Sequence, residues 1–250
     1  MRTKNNFKTK VFLICLFGFS FLSYAQTCGF GCLGLSGFYG GYTQQKYNAK
    51  GLNDFLNMKL STTFRSNATL NFENGKGLRV GGNIFRAKFD DYFFTAKAYY
   101  QFMSETQEVN LSNGGSTILA KYELKNNHWG IGLDFGIPVF SFLDFKVFEA
   151  GLNFYLAEFT EKLESGINEI SSENYSNQKV DVGYYFGSGL ILHLVKDYIS
   201  VEATAVYSVF KINAFENESG SSSIKDSNGK DLLTNKGFSA VVQLNLGFPL

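Results

Sequence analysis

Through most of its length the chain alternates apolar and polar residues with a period of two, in segments about ten residues long. Successive side chains of a strand point to opposite faces, so this pattern specifies strands with one greasy face and one polar face. The clearest segment is the last. Phe238, Ala240, Val242, Leu244, Leu246 and Phe248 share one face, and Ser239, Gln243, Asn245 and Gly247 share the other. Likewise Trp129, Ile131, Leu133, Phe135 and Ile137 oppose Gly130, Gly132, Asp134 and Gly136. The contrast recurs in segments 92–102, 148–156, 180–194 and 199–209, and more loosely in about 33–43 and 77–89. These segments make eight strands.

The connections sort into two kinds. Asp90-Asp91, Pro138 to Leu143 and Lys196-Asp197 are short, whereas roughly 44–76, 110–117, 164–177 and 214–235 are long. The long ones are rich in Asn, Ser, Gly, Glu and Lys, as solvated loops are. Short and long alternate strictly. An up-and-down meander with both ends on one side has this pattern, with turns on one side and loops on the other. In the first loop Leu52, Phe55, Leu56 and Leu60 recur at helical spacing. They fit a short amphipathic helix on the barrel rim, and an irregular loop fits them equally.

The N-terminus indicates which solvent the strands face. Arg2, Lys4, Lys8 and Lys10 form a basic head, Val11 to Leu22 is apolar, and Ser23-Tyr24-Ala25 has the small residues a signal peptidase reads. Residues 1–25 are therefore expected to be a cleaved secretory signal, and 26–250 a single β domain. No later segment approaches the roughly 18 uncharged apolar residues of a spanning helix. Net charge is +1 with both signs interspersed, which excludes a basic nucleic-acid face and a polybasic lipid-binding cluster. Cys28 and Cys32 follow the expected cleavage point, and in an oxidising compartment a small-loop disulfide between them competes with free thiols.

A soluble barrel also alternates, but it turns its apolar face inward. Here the faces opposite the apolar sets carry Gly, Ser, Asn and Gln as well as charges, rather than a carpet of Lys and Glu. Aromatics gather near the strand ends, as in Tyr92-Phe93-Phe94, Tyr99-Tyr100, His128-Trp129 and Phe154-Tyr155, where the two girdles of a membrane barrel lie. In hydrocarbon each unpaired backbone group costs several kcal/mol, so the first strand must close on the last. The expected fold is all-β: an eight-stranded antiparallel up-and-down transmembrane β-barrel.

The Ser23-Tyr24-Ala25-Gln26 signal end, Gly40-Gly41-Tyr42, Gly81-Gly82-Asn83 and the amphipathic last strand resemble the eight-stranded outer-membrane proteins of the OmpA transmembrane-domain and OmpX type. The chain is more similar still to the porin-like barrels common in Bacteroidota. The resemblance spans the mature chain and records architecture, not chemistry. Many of those relatives end on an aromatic residue, whereas this chain ends Phe248-Pro249-Leu250. The resemblance implies a place in the outer membrane of a Gram-negative cell. Its implied partners are outer-membrane lipids and the periplasmic export and barrel-assembly machinery, with room for an extracellular ligand.

The face assignment sends Arg79, Lys97, Asp134, Glu149, Asp181 and Glu202 to the interior. Charges away from water must pair, so Lys97 and Arg79 are expected to neutralise some of these carboxylates in a lumen network. His128 and His193 are expected at opposite membrane faces, His128 at the interface beside Trp129. No Ser-His-acid set, GxSxG, HExxH or P-loop emerges, so no enzyme, cofactor or metal is expected. The leading expectation is a structural or interaction protein whose barrel anchors surface loops. The alternative is transport or binding of a small or apolar ligand, for which the inward Gly130, Gly132, Gly136, Gly183, Gly187 and Gly189 leave room. A lipid-modifying barrel enzyme stands third.

Overall fold

A computed structural model describes residues 36–113, 116–177, 179–217, 219–225 and 231–247. The expected signal 1–25, the Cys28–Cys32 pair and Phe248-Pro249-Leu250 lie outside the described residues. The barrel wall is built from β1 (Gly37–Asn48), β2 (Asn74–Lys88), β3 (Phe93–Asn113), β4 (Ser116–Phe140), β5 (Leu143–Ser165), β7 (Asp181–Val195), β8 (Ile199–Val209) and β12 (Leu233–Gly247). Four shorter strands lie above it: β6 (Asn168–Ser176), β9 (Lys211–Ile212), β10 (Ala214–Asn217) and β11 (Ser223–Lys225). One helix, α1 (Lys50–Thr63), follows β1.

The wall closes. β1 pairs with β2 on one side and with β12 on the other, and β5 pairs with β7, so the eight long strands form one antiparallel ring. The pairing of Phe38 with Leu246 and of Tyr42 with Val242 makes the seam. This is the expected transmembrane-type eight-stranded barrel. Among the described residues no helix is long and apolar enough to cross a membrane.

Outward faces of the wall are apolar. Trp129, Ile131, Leu133 and Ile137 are exposed on β4, and Phe148 and Leu152 on β5. Val182, Tyr184 and Phe186 project from β7, and Val242, Leu244 and Leu246 from β12. From Trp129 to Val139, at roughly 3.4 Å per residue and a tilt of about 40°, β4 rises about 26 Å, close to the height of a lipid-facing band. Aromatic pairs mark both ends of this band, edge-on at one and stacked at the other. Tyr100 lies 4.7 Å from Trp129 at one end, while Phe89 and Tyr92 (4.5 Å) and Phe140 and Phe142 (5.6 Å) pair at the other.

Above Trp129 the polarity inverts without a change of parity. Along β4 the inward residues become Leu124, Tyr122 and Ala120, all buried, and the outward ones become Lys125, Glu123 and Lys121. One strand thus passes from an apolar outer face to a polar one simply by exchanging the chemistry of its two faces. Most of the described residues in segments 110–117, 164–177 and 214–235, expected as solvated loops, lie in hairpin strands that continue the wall upward. Most of their polar residues still face water, while Leu111, Tyr175 and Phe215 turn into the buried core; on β6 Asn168 to Asn174 are all exposed. At the tip of the β5–β6 hairpin Gly166 takes a positive φ of 60°, and Ile167 is fully exposed at 101%.

The helix reading of the first loop holds. Leu52, Leu56 and Leu60 of α1 are buried, with Phe55 packed beside them, in an apolar core that includes Phe72, Tyr122, Phe159, Phe215 and Leu233. Two asparagines one turn apart on α1 treat the segment beside it as a strand edge. Asn53 donates to Phe72 O (3.1 Å) and accepts from Phe72 N–H (2.9 Å), and Asn57 does the same for Leu70 (3.0 and 2.7 Å). The carboxylate of Glu105 accepts from the Tyr47 hydroxyl and from the Glu73 and Asn74 amides (3.0 and 2.7 Å). These contacts close the top of the barrel.

Candidate functional site

Below the apolar cap the lumen is polar and charged. Arg79 on β2, Lys97 on β3, Asp134 on β4, Glu149 on β5 and Glu202 on β8 converge there, each buried. Lys97 Nζ lies 3.1 Å from Asp134 and 2.5 Å from Glu149. Arg79 lies 3.9 Å from Glu149, donates to Gln101 Oε1 at 2.8 Å, and sets its guanidinium 4.1 Å over the Tyr99 ring.

The centre of the cluster is a residue that alternation missed. Lys146, wholly buried, contacts Asp134 (3.3 Å) and Glu149 (2.7 Å), and also donates to Glu202. Strict alternation back from Glu149 would put Lys146 in lipid. A register shift on β5 between Lys146 and Glu149 turns both Val147 and Phe148 outward, and so sends Lys146 inward. The signal was present as two adjacent apolar residues breaking the period, with Asp144 and Lys146 in the other phase below them.

Asp181 does not join this cluster. It lies at the top of β7, where its carboxylate accepts from Asn177 Nδ2 at 3.0 Å. The remaining charges balance: Arg79, Lys97 and Lys146 against Asp134, Glu149 and Glu202. Oxygens of these three acids come within 4.8 Å of one another, a spacing that would suit a metal ion. The space between them already holds the ammonium of Lys146, which contacts all three. The arrangement is a neutral plug rather than a cation site.

The inward glycines leave less room than expected. A Cβ built on Gly130 would fall within the Tyr99 ring, on Gly132 against the Tyr185 hydroxyl, and on Gly136 within the Phe93 ring. On Gly183 it would come within 2.9 Å of Tyr155, on Gly189 within 2.8 Å of Thr204, and on Gly187 within 3.2 Å of Val206. Each glycine is the recess for a large neighbour or lies against the next strand. Tyr39, Tyr99 and Tyr185 thereby meet in the lumen, packed with Val206 and Val241. Tyr99 donates to Asn153 Oδ1 at 2.7 Å.

The two histidines are at different levels. His128 was expected at the interface, but it faces the lumen and is buried between the rings of Tyr99 (6.0 Å) and Tyr155 (4.7 Å). Its neighbour Trp129 takes the outward position, as parity requires. His193 sits near the short turns, with Nε2 2.8 Å from Asp144, whose other neighbour is Arg86 at 3.8 Å. The turn between β4 and β5 is tighter than Pro138 to Leu143. The strand continues through Pro138, held by register shifts on either side, and turns at Ser141-Phe142.

No known protein family and no curated protein matches the sequence. Among solved structures the chain is similar to Ail, the attachment invasion locus protein of Yersinia pestis, with a TM-score of 0.39 and 12% identity over 86% of this chain and 99% of that one. The same protein in complex with the heparin analogue sucrose octasulfate aligns with a TM-score of 0.39 and 11% identity, over 85% and 97% of the two chains. The outer membrane protease OmpT of Escherichia coli aligns with a TM-score of 0.33 and 12% identity, over 86% and 94%. Likeness of this degree carries no inference about function.

Proposed function

We propose that the protein resides in the outer membrane and acts as a plugged anchor, holding a folded cap at the cell surface for a structural or interaction role. In this reading it is neither a pore nor an enzyme. The observation that carries the reading is the filling of the lumen. The Lys97–Glu149–Lys146–Glu202 network and the interlocked tyrosines occupy its middle, and the apolar core beneath α1 occupies its top. An interior of eight strands is about wide enough for its own side chains. The apolar exterior supports residence in lipid, since exposed Trp, Phe, Leu and Ile on seven of the eight wall strands, all but β8, would be costly in water.

Planar-bilayer recording of the purified protein tests the plug. Silence across applied voltages is the expected outcome, and reproducible open steps would replace the anchor with a transport role. Fractionation of cells expressing the chain, with recovery in the outer membrane, tests the location.

A further inference from the structure

The outer face of the wall carries a groove at the level where lipid gives way to water. Register places Lys76, Ser104, Lys125 and Glu158 side by side on four neighbouring strands, all pointing outward. One outward step lower lie Leu78 and Phe102, at the top of the apolar band. Between these rows the β3–β4 ladder is interrupted: pairing stops at Gln101–His128 and resumes at Ser104–Lys125. Within the gap the side chain of Asn127 accepts the Met103 N–H at 3.0 Å in place of a backbone carbonyl. The depression that results has a volume of about 370 Å³, with Leu78 and Phe102 as its apolar lower wall and Lys76, Ser104, Lys125 and Glu158 at its polar end. A second depression of about 290 Å³ continues from Lys125 and Glu158 toward β6.

We propose that this groove binds the head group of a phosphorylated glycolipid in the surrounding leaflet; the proposal rests on the membrane reading above. The acyl chains would run down over Leu78 and Phe102, which face lipid at that depth. Lys76 and Lys125 would take the phosphate. The only ion pair of Lys125 among the described residues is a loose one to Glu123 at 3.7 Å, so its ammonium keeps donors to give. The acids decide between lipid classes. Glu158 and Glu123 would repel a simple phosphodiester head, but together with Ser104 they accept hydrogen bonds from sugar hydroxyls beside the phosphate. The volume lies at the low end for ligand sites, as suits a head group rather than a whole lipid.

Native mass spectrometry of the full chain, extracted from vesicles, tests the proposal. Three probes are offered separately: lipid A with two phosphates, the same lipid dephosphorylated, and phosphatidylglycerol. The wild-type chain should retain one copy of the phosphorylated glycolipid in preference to both others. A Lys76→Gln/Lys125→Gln variant should bind it about tenfold more weakly, whereas Lys211→Gln/Lys225→Gln, outside the groove, should match the wild type. Equal retention of the three lipids by the wild-type chain, or preference for phosphatidylglycerol, overturns the proposal whatever the variants do. Equal weakening in both variants overturns it too. Quenching of Trp129 fluorescence by brominated acyl chains separates the two readings. Without quenching the membrane assignment itself falls, and quenching without phosphate preference removes only the groove.

Discussion

The ring of Tyr99 lies where a side chain at Gly130 would have to be, one strand away across the lumen wall. The relationship repeats with Tyr185 at Gly132 and Phe93 at Gly136. Overfilling a packed interior costs about 1–3 kcal/mol, because neighbours are forced from their rotamers. Gly130→Val should therefore destabilise the folded barrel by about that much, read from urea unfolding in vesicles, and Tyr99→Ala in the same chain should recover part of the loss. An unchanged midpoint for Gly130→Val would mean the ring has somewhere else to go.

Lys146 is the cation on which three buried carboxylates depend. Replacing it with Met leaves Arg79 and Lys97 to balance three acids in a place water reaches poorly. Breaking a buried pair in this way costs about 3–5 kcal/mol. The expected result for Lys146→Met is loss of the heat-resistant gel mobility of folded barrels, with Lys146→Met/Glu202→Gln regaining much of it. If the double variant is as weak as the single, the two side chains are not coupled.

Leu133 lies near mid-height of the apolar band and Ile167 at the tip of the β5–β6 hairpin, and both are exposed. Only the first is exposed to lipid in this reading. Leu133→Arg should cost about 2–4 kcal/mol of stability in vesicles, as a cation at the bilayer midplane does. Ile167→Arg should cost nothing measurable. Comparable effects at the two positions would contradict the placement of the membrane.

Asn53 and Asn57 hold Phe72 and Leu70 through paired amide contacts. Truncating either to Ala removes two hydrogen bonds and exposes a strip of backbone, for about 1–2 kcal/mol of local stability. Hydrogen exchange at the Leu70 and Phe72 amides should accelerate in Asn53→Ala/Asn57→Ala while the exchange of β7 and β8 stays as it was. Acceleration throughout the wall would show that cap and barrel open as one unit.

Glu73 meets Lys236 at 2.7 Å on the water-exposed rim, and this hydrogen bond and charge hold its carboxyl below the ordinary glutamate range. A lowered folded-state pKa means that the contact stabilises the rim above the unfolded-state value and is lost as pH falls through the folded one. Both groups are well solvated, so the effect belongs to the rim and not to barrel stability. A carboxyl-carbon NMR titration should place the Glu73 midpoint below that of a free glutamate, and Lys236→Gln should move it upward. A midpoint unaffected by the substitution removes the pair.

Parity is what made the wall legible. Trp129, Ile131 and Leu133 face outward and Gly130, Gly132 and Asp134 inward, because a strand has no other way to place them and only one face was greasy. The same parity carried Arg79, Lys97, Glu149 and Glu202 to the lumen. It was misleading where polar composition was taken for loop. Leu111 in segment 110–117 and Tyr175 in segment 164–177 turn into the buried core, as strands in water require, although β6 is exposed from Asn168 to Asn174 and its burial does not alternate.

From sequence alone, then, come the number of wall strands, their sidedness and the closure of the ring, because period and hydrocarbon together permit little else. Only the tertiary structure decides what fills the ring. One extra residue at Val147–Phe148 brings Lys146 into the network, and no local pattern says which glycine receives which tyrosine. Those matches depend on the stagger between strands distant in sequence, and stagger is fixed when the whole cylinder closes rather than by any segment of it.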